Sequence, residues 1–431
     1  MKYWYIFIAS ALFTCCFAYK RLGHKKNSPE RRGSPDAGKT WRMTTIANRY
    51  FAHRLFKNIA RQQESGNIVI SPFVVSTGLS MVLLGAEGET EAELMKLLGY
   101  DTIGKKKNGR KYTKRDVPRL YETVLGNMKR SSEHGGYMFT IASRLFAEQS
   151  ETFLPNFIDD TERYFGARLE QLDFMHNAEE SRTLINEWVS NKTENTIPEA
   201  LPSGYITSNT LLTLVSSVYF KGEWEYKFEH ERTKPGTFTM QDGTEIGVDY
   251  MDGVFQLEYK KALPCRCHIL VLPYKTKAPE NSDYKVSMEL YLPWKRKFLP
   301  LLLNMDEDFF HRELRNVYTQ KVTLKLPKFR INYDIDLVET LQRLKVVTLF
   351  NNDADLSGMN EKYNINLGTA MHKTFMEVNE EGTTAASSLA IGSSKSANDV
   401  VLHFDHTFVL IIREKSTNTI LFMGRIDQPI Q

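Results

Sequence analysis

Few residues of this 431-residue chain are spaced for catalysis. There is no G-x-S-x-G elbow, no H-E-x-x-H helix and no phosphate-cradling glycine motif, and its Ser, His and Asp residues follow no spacing that makes a site. No enzyme activity is expected, and no catalytic residue is assigned. One group invites metal chemistry. Cys265, Cys267 and His268 could act as ligands, but no second cluster of matching spacing exists, so no metal is expected. A disulfide across Cys265-Arg266-Cys267 would close a small, strained ring. The alternation in Leu263-Pro264-Cys265-Arg266-Cys267-His268-Ile269 reads as a strand with both sulfurs on one face. Two buried free thiols are therefore expected, and no disulfide scaffold.

The chemistry that remains is strand addition. Glu380-Glu381-Gly382 opens a segment that, from Thr383 to Ser394, has no charge, no proline and no aromatic ring. A loop that only had to stay in water would carry charges or turn residues. This one could enter a sheet, with Thr383, Ala385, Ser387, Leu389 and Ile391 on one face and Thr384, Ala386, Ser388 and Ala390 on the other. Strand-like apolar segments flank it on both sides.

The elements that must position such a segment follow from patterning. Composition is that of a globular protein, 42% hydrophobic and 25% charged, with no interior linker and no internal repeat. Helical spacing runs over Thr44 to Arg61, Phe73 to Gly85, Glu89 to Leu98, Val117 to Met128, Leu154 to Phe165 and Ala178 to Val189. Asn67 to Pro72 is a short strand. From about Leu211 strands dominate: Leu211 to Tyr219, Gly236 to Thr239, Leu257 to Lys260, Cys267 to Pro273, Lys285 to Leu292, Lys321 to Leu326 and Val400 to Phe404. A helix over Leu337 to Leu344 interrupts them. A hairpin of Phe408 to Arg413 with Ile420 to Gly424 closes the chain. The order points to a mixed α/β (α+β) fold in one large domain from 41 to 431.

The N-terminus reads as a targeting signal over residues 1–18. Lys2 precedes an apolar run from Tyr3 to Ala18 that ends in a small-x-small cleavage pattern. Cleavage after Ala18 predicts a secreted, extracellular protein. Loss of Lys2 takes the formal charge from +4 to +3, which implies no nucleic-acid partner. The run is short for a membrane span, and no other segment could span. Residues 19–40 are polar and basic, a disordered arm. Asn191-Lys192-Thr193 is a glycosylation sequon on Asn191.

Several segments in order make the chain resemble the serpin family along nearly its whole mature length. They are Asn67-Ile68-Val69-Ile70-Ser71-Pro72, Gly85-Ala86-Glu87-Gly88-Glu89-Thr90, Val218-Tyr219-Phe220-Lys221-Gly222-Glu223-Trp224, Leu326-Pro327-Lys328-Phe329, Ala354-Asp355-Leu356-Ser357-Gly358, His372-Lys373, Glu377-Val378-Asn379-Glu380-Glu381-Gly382-Thr383 and Phe422-Met423-Gly424-Arg425. The resemblance implies about nine helices around three β-sheets with an exposed reactive loop near 380–399. It implies a monomeric suicide inhibitor of a serine protease. The protease cuts the loop and forms an acyl-enzyme, and the cut loop enters the main sheet and drags the protease with it. The alternative is a non-inhibitory serpin that carries a ligand or a glycosaminoglycan.

By the same resemblance the hinge is Glu380, Glu381, Gly382, Thr383, Thr384, Ala385, Ala386, Ser387 and Ser388, with Thr384 in place of the usual glutamate. The family's spacing places the cut at Ser396–Ala397, which suits an elastase-like pocket. One residue earlier, Lys395–Ser396 suits a trypsin-like enzyme, whose pocket carboxylate pairs with lysine, and this bond is favoured. Asn67, Ser71, Asn186 and His372 match the gate where the sheet opens. Val74 there replaces a serine, Ser216-Ser217 replaces Asn-Ala, and Thr407 replaces a proline. Lys105, Lys106, Lys107, Arg110, Lys111, Lys114 and Arg115, with Arg119, form a basic cluster. It is either a heparin-like, sulfated-polysaccharide site or a solvated insertion. No cofactor is required.

Overall fold

The computed structural model describes residues 37–103, 111–134, 137–276, 285–306, 308–360, 365–381, 400–415 and 417–430. The targeting segment, most of the arm, Lys105 to Arg110, hinge residues Gly382 to Ser388 and the bait Lys395-Ser396-Ala397 lie outside them.

Helix α1 (Ala37–Gln62) begins inside the segment read as an arm. Strand β1 (Ile68–Ile70) is wholly buried and ends at Ser71. The Ser71 hydroxyl accepts the Val74 N–H and so caps α2 (Pro72–Gly85), whose first residue is proline, the one residue that needs no partner for its nitrogen there. All of α2 except Leu84 is buried, as its lack of a polar face requires. Then come α3 (Gly88–Leu97), α4 (Val117–His134), β2 (Tyr137–Glu148), α5 (Pro155–Phe165), β3 (Glu170–Leu172) and α6 (Phe174–Lys192). The strand-rich half holds β4 (Leu212–Gly222), β5 (Lys234–Thr239), β6 (Glu245–Ala262), β7 (Cys267–Pro273) and β8 (Val286–Pro293). After α7 (Leu299–Leu303) and α8 (Phe309–Leu314) it continues with β9 (Tyr318–Pro327), β10 (Phe329–Asp336), α9 (Leu337–Arg343) and β11 (Thr369–Val378). β12 (Val400–His403), β13 (Phe408–Glu414) and β14 (Thr419–Ile426) end the chain.

The strands form two hydrogen-bonded networks among the described residues. One is five-stranded, in the order β10-β11-β4-β2-β3. The other has nine strands, β1-β14-β13-β8-β7-β6-β9-β12, with β5 paired to β6. The expected three sheets become two networks because β6 is 18 residues long. It holds β5 through its first half, β7 through its second and β9 through its middle and second half, so two sheets share one strand.

Helix α2 packs on β14 of one network and on β2 and β4 of the other. Along β4, Leu214, Val218 and Phe220 join the main core with α2. Val215 and Tyr219 join a second core with Phe174, Ile185 and Val189 of α6. Both faces of the sheet are thus covered at its centre. That explains why β2 and β11 leave no clean alternation in the sequence: strands buried on both sides do not alternate apolar with polar.

Candidate functional site

The site is a seam in the five-stranded sheet. Strands β11 and β4 are parallel neighbours, in register from Thr369 opposite Thr213 to Met376 opposite Phe220. Parallel pairing is the weaker kind per residue. The seam is also polar for a sheet centre: Thr213, Ser216, Ser217, His372 and Thr374 are all fully buried along it. β11 ends at Val378 and runs through Glu380 and Glu381 toward the uncharged segment. A chain reversing there would run antiparallel to β11, and therefore antiparallel to β4 as well. The sheet offers a new strand two partners at once.

At mid-seam lies His372. Its Nδ1–H donates to the Ser216 carbonyl at 2.9 Å. Its Nε2 accepts the Ser71 backbone N–H at 2.9 Å and the Thr374 hydroxyl at 3.0 Å. These partners fix the neutral tautomer. Burial pushes its pKa down to about 4, against the opposing pull of the Ser216 carbonyl. The Ser71 hydroxyl also donates to Leu421 O of β14 at 2.6 Å, so one serine ties α2 to both sheets. Val74 adds only its N–H, to Ser71. Ser216 meets Ser143 of β2, hydroxyl to hydroxyl, at 3.0 Å. The close fit leaves no slack: a Cβ on Gly78 of α2 would lie 2.8 Å from Leu214 and 2.9 Å from the Ser216 hydroxyl.

At the hinge end the forces are charged. Glu380 is buried and its carboxylate meets Lys328 at 3.0 Å and the Thr233 hydroxyl at 2.7 Å. Burial alone would raise its pKa, but the Thr233 and Lys328 contacts bring it below the usual carboxylate value. The Glu380 carbonyl accepts Phe228 N–H. The Trp224 indole N–H donates to Asn379 O at 2.9 Å, with its ring stacked on Tyr274 at 4.6 Å. Beyond the uncharged segment, β12 is anchored in parallel to β9.

Of the four residues assigned to the gate, Ser71 and His372 lie together, and Asn67 and Asn186 lie elsewhere. Asn67 clamps the chain end, accepting Asp427 and Gln428 N–H and donating to Gln428 O. Asn186 sits on α6, across the sheet from α2. There it accepts the N–H of Ala200 and Leu201 and donates to Leu201 O. Even-numbered residues of β4 and β11 face α2 and odd-numbered ones face α6, so a residue on α6 has no route to His372. Ser216 and Thr374 are the residues that stand beside His372 with Ser71.

Two further expectations change. Cys265 and Cys267 form a disulfide rather than free thiols, and Leu263 to Arg266 is a turn, not a strand. Arg266 takes φ +49°, which curls the turn and brings the two Cα atoms to 5.3 Å. Of the basic cluster, Lys111 and Arg115 are exposed, but the Lys114 ammonium turns inward to Glu87 and Glu91 and to Ala86 O. Asn191 is exposed at the end of α6, while Thr193 of its sequon is buried and donates its hydroxyl to Val189 O. Thr407 finds a partner that proline could not, Asp427, at 2.6 Å. Lys328 and Trp224 lay within the motifs that carry the resemblance; Thr233 and His230 had no sequence signal.

The family description that matches is "Serpin (serine protease inhibitor)", over residues 46–429. Leukocyte elastase inhibitor of Sus scrofa is 36% identical over 398 residues, spanning 89% of this chain and 99% of that protein. Serpin B3 of Homo sapiens is 34% identical over 394 residues, 89% and 98% of the two chains. Among solved structures, a tumour suppressing serpin superposes with a TM-score of 0.78 at 26% identity, covering 90% of this chain and 100% of that one. Human thyroxine-binding globulin, at 22% identity and a TM-score of 0.79, shares the fold. Matched by the family model over residues 46–429 and by relatives of 34–36% identity along nearly their whole length, this chain belongs to the serpin family.

Proposed function

We propose that this chain is a secreted suicide inhibitor of a serine endopeptidase. The observation that carries the reading is the β11–β4 seam: two parallel neighbours, one of which continues directly into an uncharged, proline-free segment. The protease serine attacks the bait carbonyl, an ester forms and the amine of the following residue leaves. The freed segment reverses at Glu380-Glu381 and enters as an antiparallel strand between β11 and β4. Proline would remove a ladder hydrogen bond and a charge would be buried unpaired; Thr383 to Ser394 contains neither.

The bond is Ser396–Ala397 or Lys395–Ser396. Family spacing and relatives named for elastase support the first, with a small residue for a small pocket. Lysine in the second supports a trypsin-like enzyme. Incubation with both protease types, followed by denaturing gels and the mass of the released C-terminal fragment, tests class and bond together. A denaturant-stable covalent complex is expected. Its absence with every enzyme, with a melting temperature unmoved by loop cleavage, would favour the ligand-binding reading.

The basic cluster supports a sulfated-polysaccharide cofactor on Lys105 to Lys107, Arg110, Lys111 and Arg115, without Lys114. Heparin-column elution at lower salt for a variant neutralised at these positions is the expected result.

A further inference from the structure

His230 lies in the turn before β5 and belongs to no motif of the sequence. Its ring stands between the two hinge acids, Nε2 at 3.2 Å from Glu381 and Nδ1 at 3.7 Å from Glu380. The ring is 60% exposed, so protons reach it freely, while the Glu380 carboxylate is buried. The hinge is thus gripped from two sides. Lys328, from the β9–β10 junction, meets Glu380 at 3.0 Å from one side, and the His230 ring faces both acids from the other.

We propose that His230 is a positioning residue for the hinge, a proton-dependent latch that holds Glu380 and Glu381 outside the sheet. This rests on the inhibitory reading above. Imidazole gains its proton between about pH 5 and 8. Protonated, His230 meets both carboxylates as a cation. Neutral, it offers one N–H and loses the ionic part. The surrounding charges are of both signs. Glu229 and Glu231 flank it in the chain, and Arg330 and Glu377, paired at 3.1 Å, line the same 290 Å³ cavity with Lys328. Arg232 is engaged with Asp252 of β6 at 2.8 Å. For the hinge to enter the seam, Glu381 must leave His230. A protonated latch therefore slows insertion, and more acyl-enzyme is hydrolysed before it is trapped.

The test compares wild type, His230→Gln and His230→Lys with one protease, measuring cleaved against complexed inhibitor from pH 6 to 8. All three present the same bait, so the protease's own titration cancels in the ratio between them. Wild type should match the Gln variant at pH 8 and turn over about two- to fivefold more as substrate at pH 6, the range of an exposed ion pair. The Lys variant should behave at every pH as wild type does at pH 6. Parallel curves for wild type and Gln would overturn the latch. If no complex forms with any enzyme, inhibition has failed and the latch is read from hydrogen exchange at residues 379–382. Greater protection in wild type than in the Gln variant at pH 6, and equal protection at pH 8, supports it. Equal protection at both refutes it.

Discussion

The gate and the hinge close two places on one seam by opposite physics. At the gate a buried, neutral histidine accepts two hydrogen bonds through a single nitrogen. At the hinge a buried carboxylate is held by a lysine, a hydroxyl and an exposed histidine. A proton arriving at His372 Nε2 evicts the Ser71 N–H and makes the Thr374 hydroxyl turn to accept, so it weakens the seam. A proton arriving at His230 adds a charge facing two acids, so it strengthens the hinge. Burial decides which: the same side chain is a lock that acid opens in one place and a latch that acid closes in the other.

The widest break of this comparison comes from the segment both ends control. Thr383→Arg would carry a cation into the sheet, a cost of several kcal/mol. It should turn inhibitor into substrate, with covalent complex lost by orders of magnitude on denaturing gels. Unchanged inhibition would refute insertion. Next is the gate's response to acid. The folded His372 pKa, about 4, lies below the ordinary 6.5. The native state therefore binds fewer protons between these values. Stability is unaffected above about pH 6.5, falls as pH drops and is lower by about 3 kcal/mol below pH 4. His268 and His311, also depressed to about 4, act in the same direction elsewhere. The gate's share is thus the difference in denaturant midpoint between wild type and His372→Gln across this range.

Asn186→Ala sharpens the contrast by sitting on the wrong face. Loss of its three backbone hydrogen bonds should cost about 2 kcal/mol in global unfolding, with the ratio of complexed to cleaved inhibitor unchanged. A changed ratio would place Asn186 in the gate after all. Smaller still, Lys328→Met should cost about 1–2 kcal/mol and raise protease susceptibility near residue 380 without altering the acid response of His372.

Much of this was legible in the residues. β1, α2, β7, the β13–β14 hairpin and the uncharged segment announce themselves by apolar runs, caps and turn residues, because those signals are local. What was not legible is the sharing of faces. Asn186 and His372 look alike in sequence, as polar residues in apolar surroundings; only the alternation of β4 and β11 between α2 and α6 separates them. His230 meets Glu381 across 151 positions of chain, a distance no periodicity encodes. The thiol pair misled because alternation argued for a strand, whereas Arg266 in the left-handed region makes a turn.

That turn has a consequence for what the crosslink can do. A crosslink between residues two apart closes almost no chain. By loop-closure entropy it withdraws under about 2 kcal/mol from the unfolded ensemble. Opening it would loosen one hairpin corner, where both sulfurs are buried at the edge of the main core. The bond between Cys265 and Cys267 thus pins a corner rather than a fold, and it says nothing of the compartment in which the protein works.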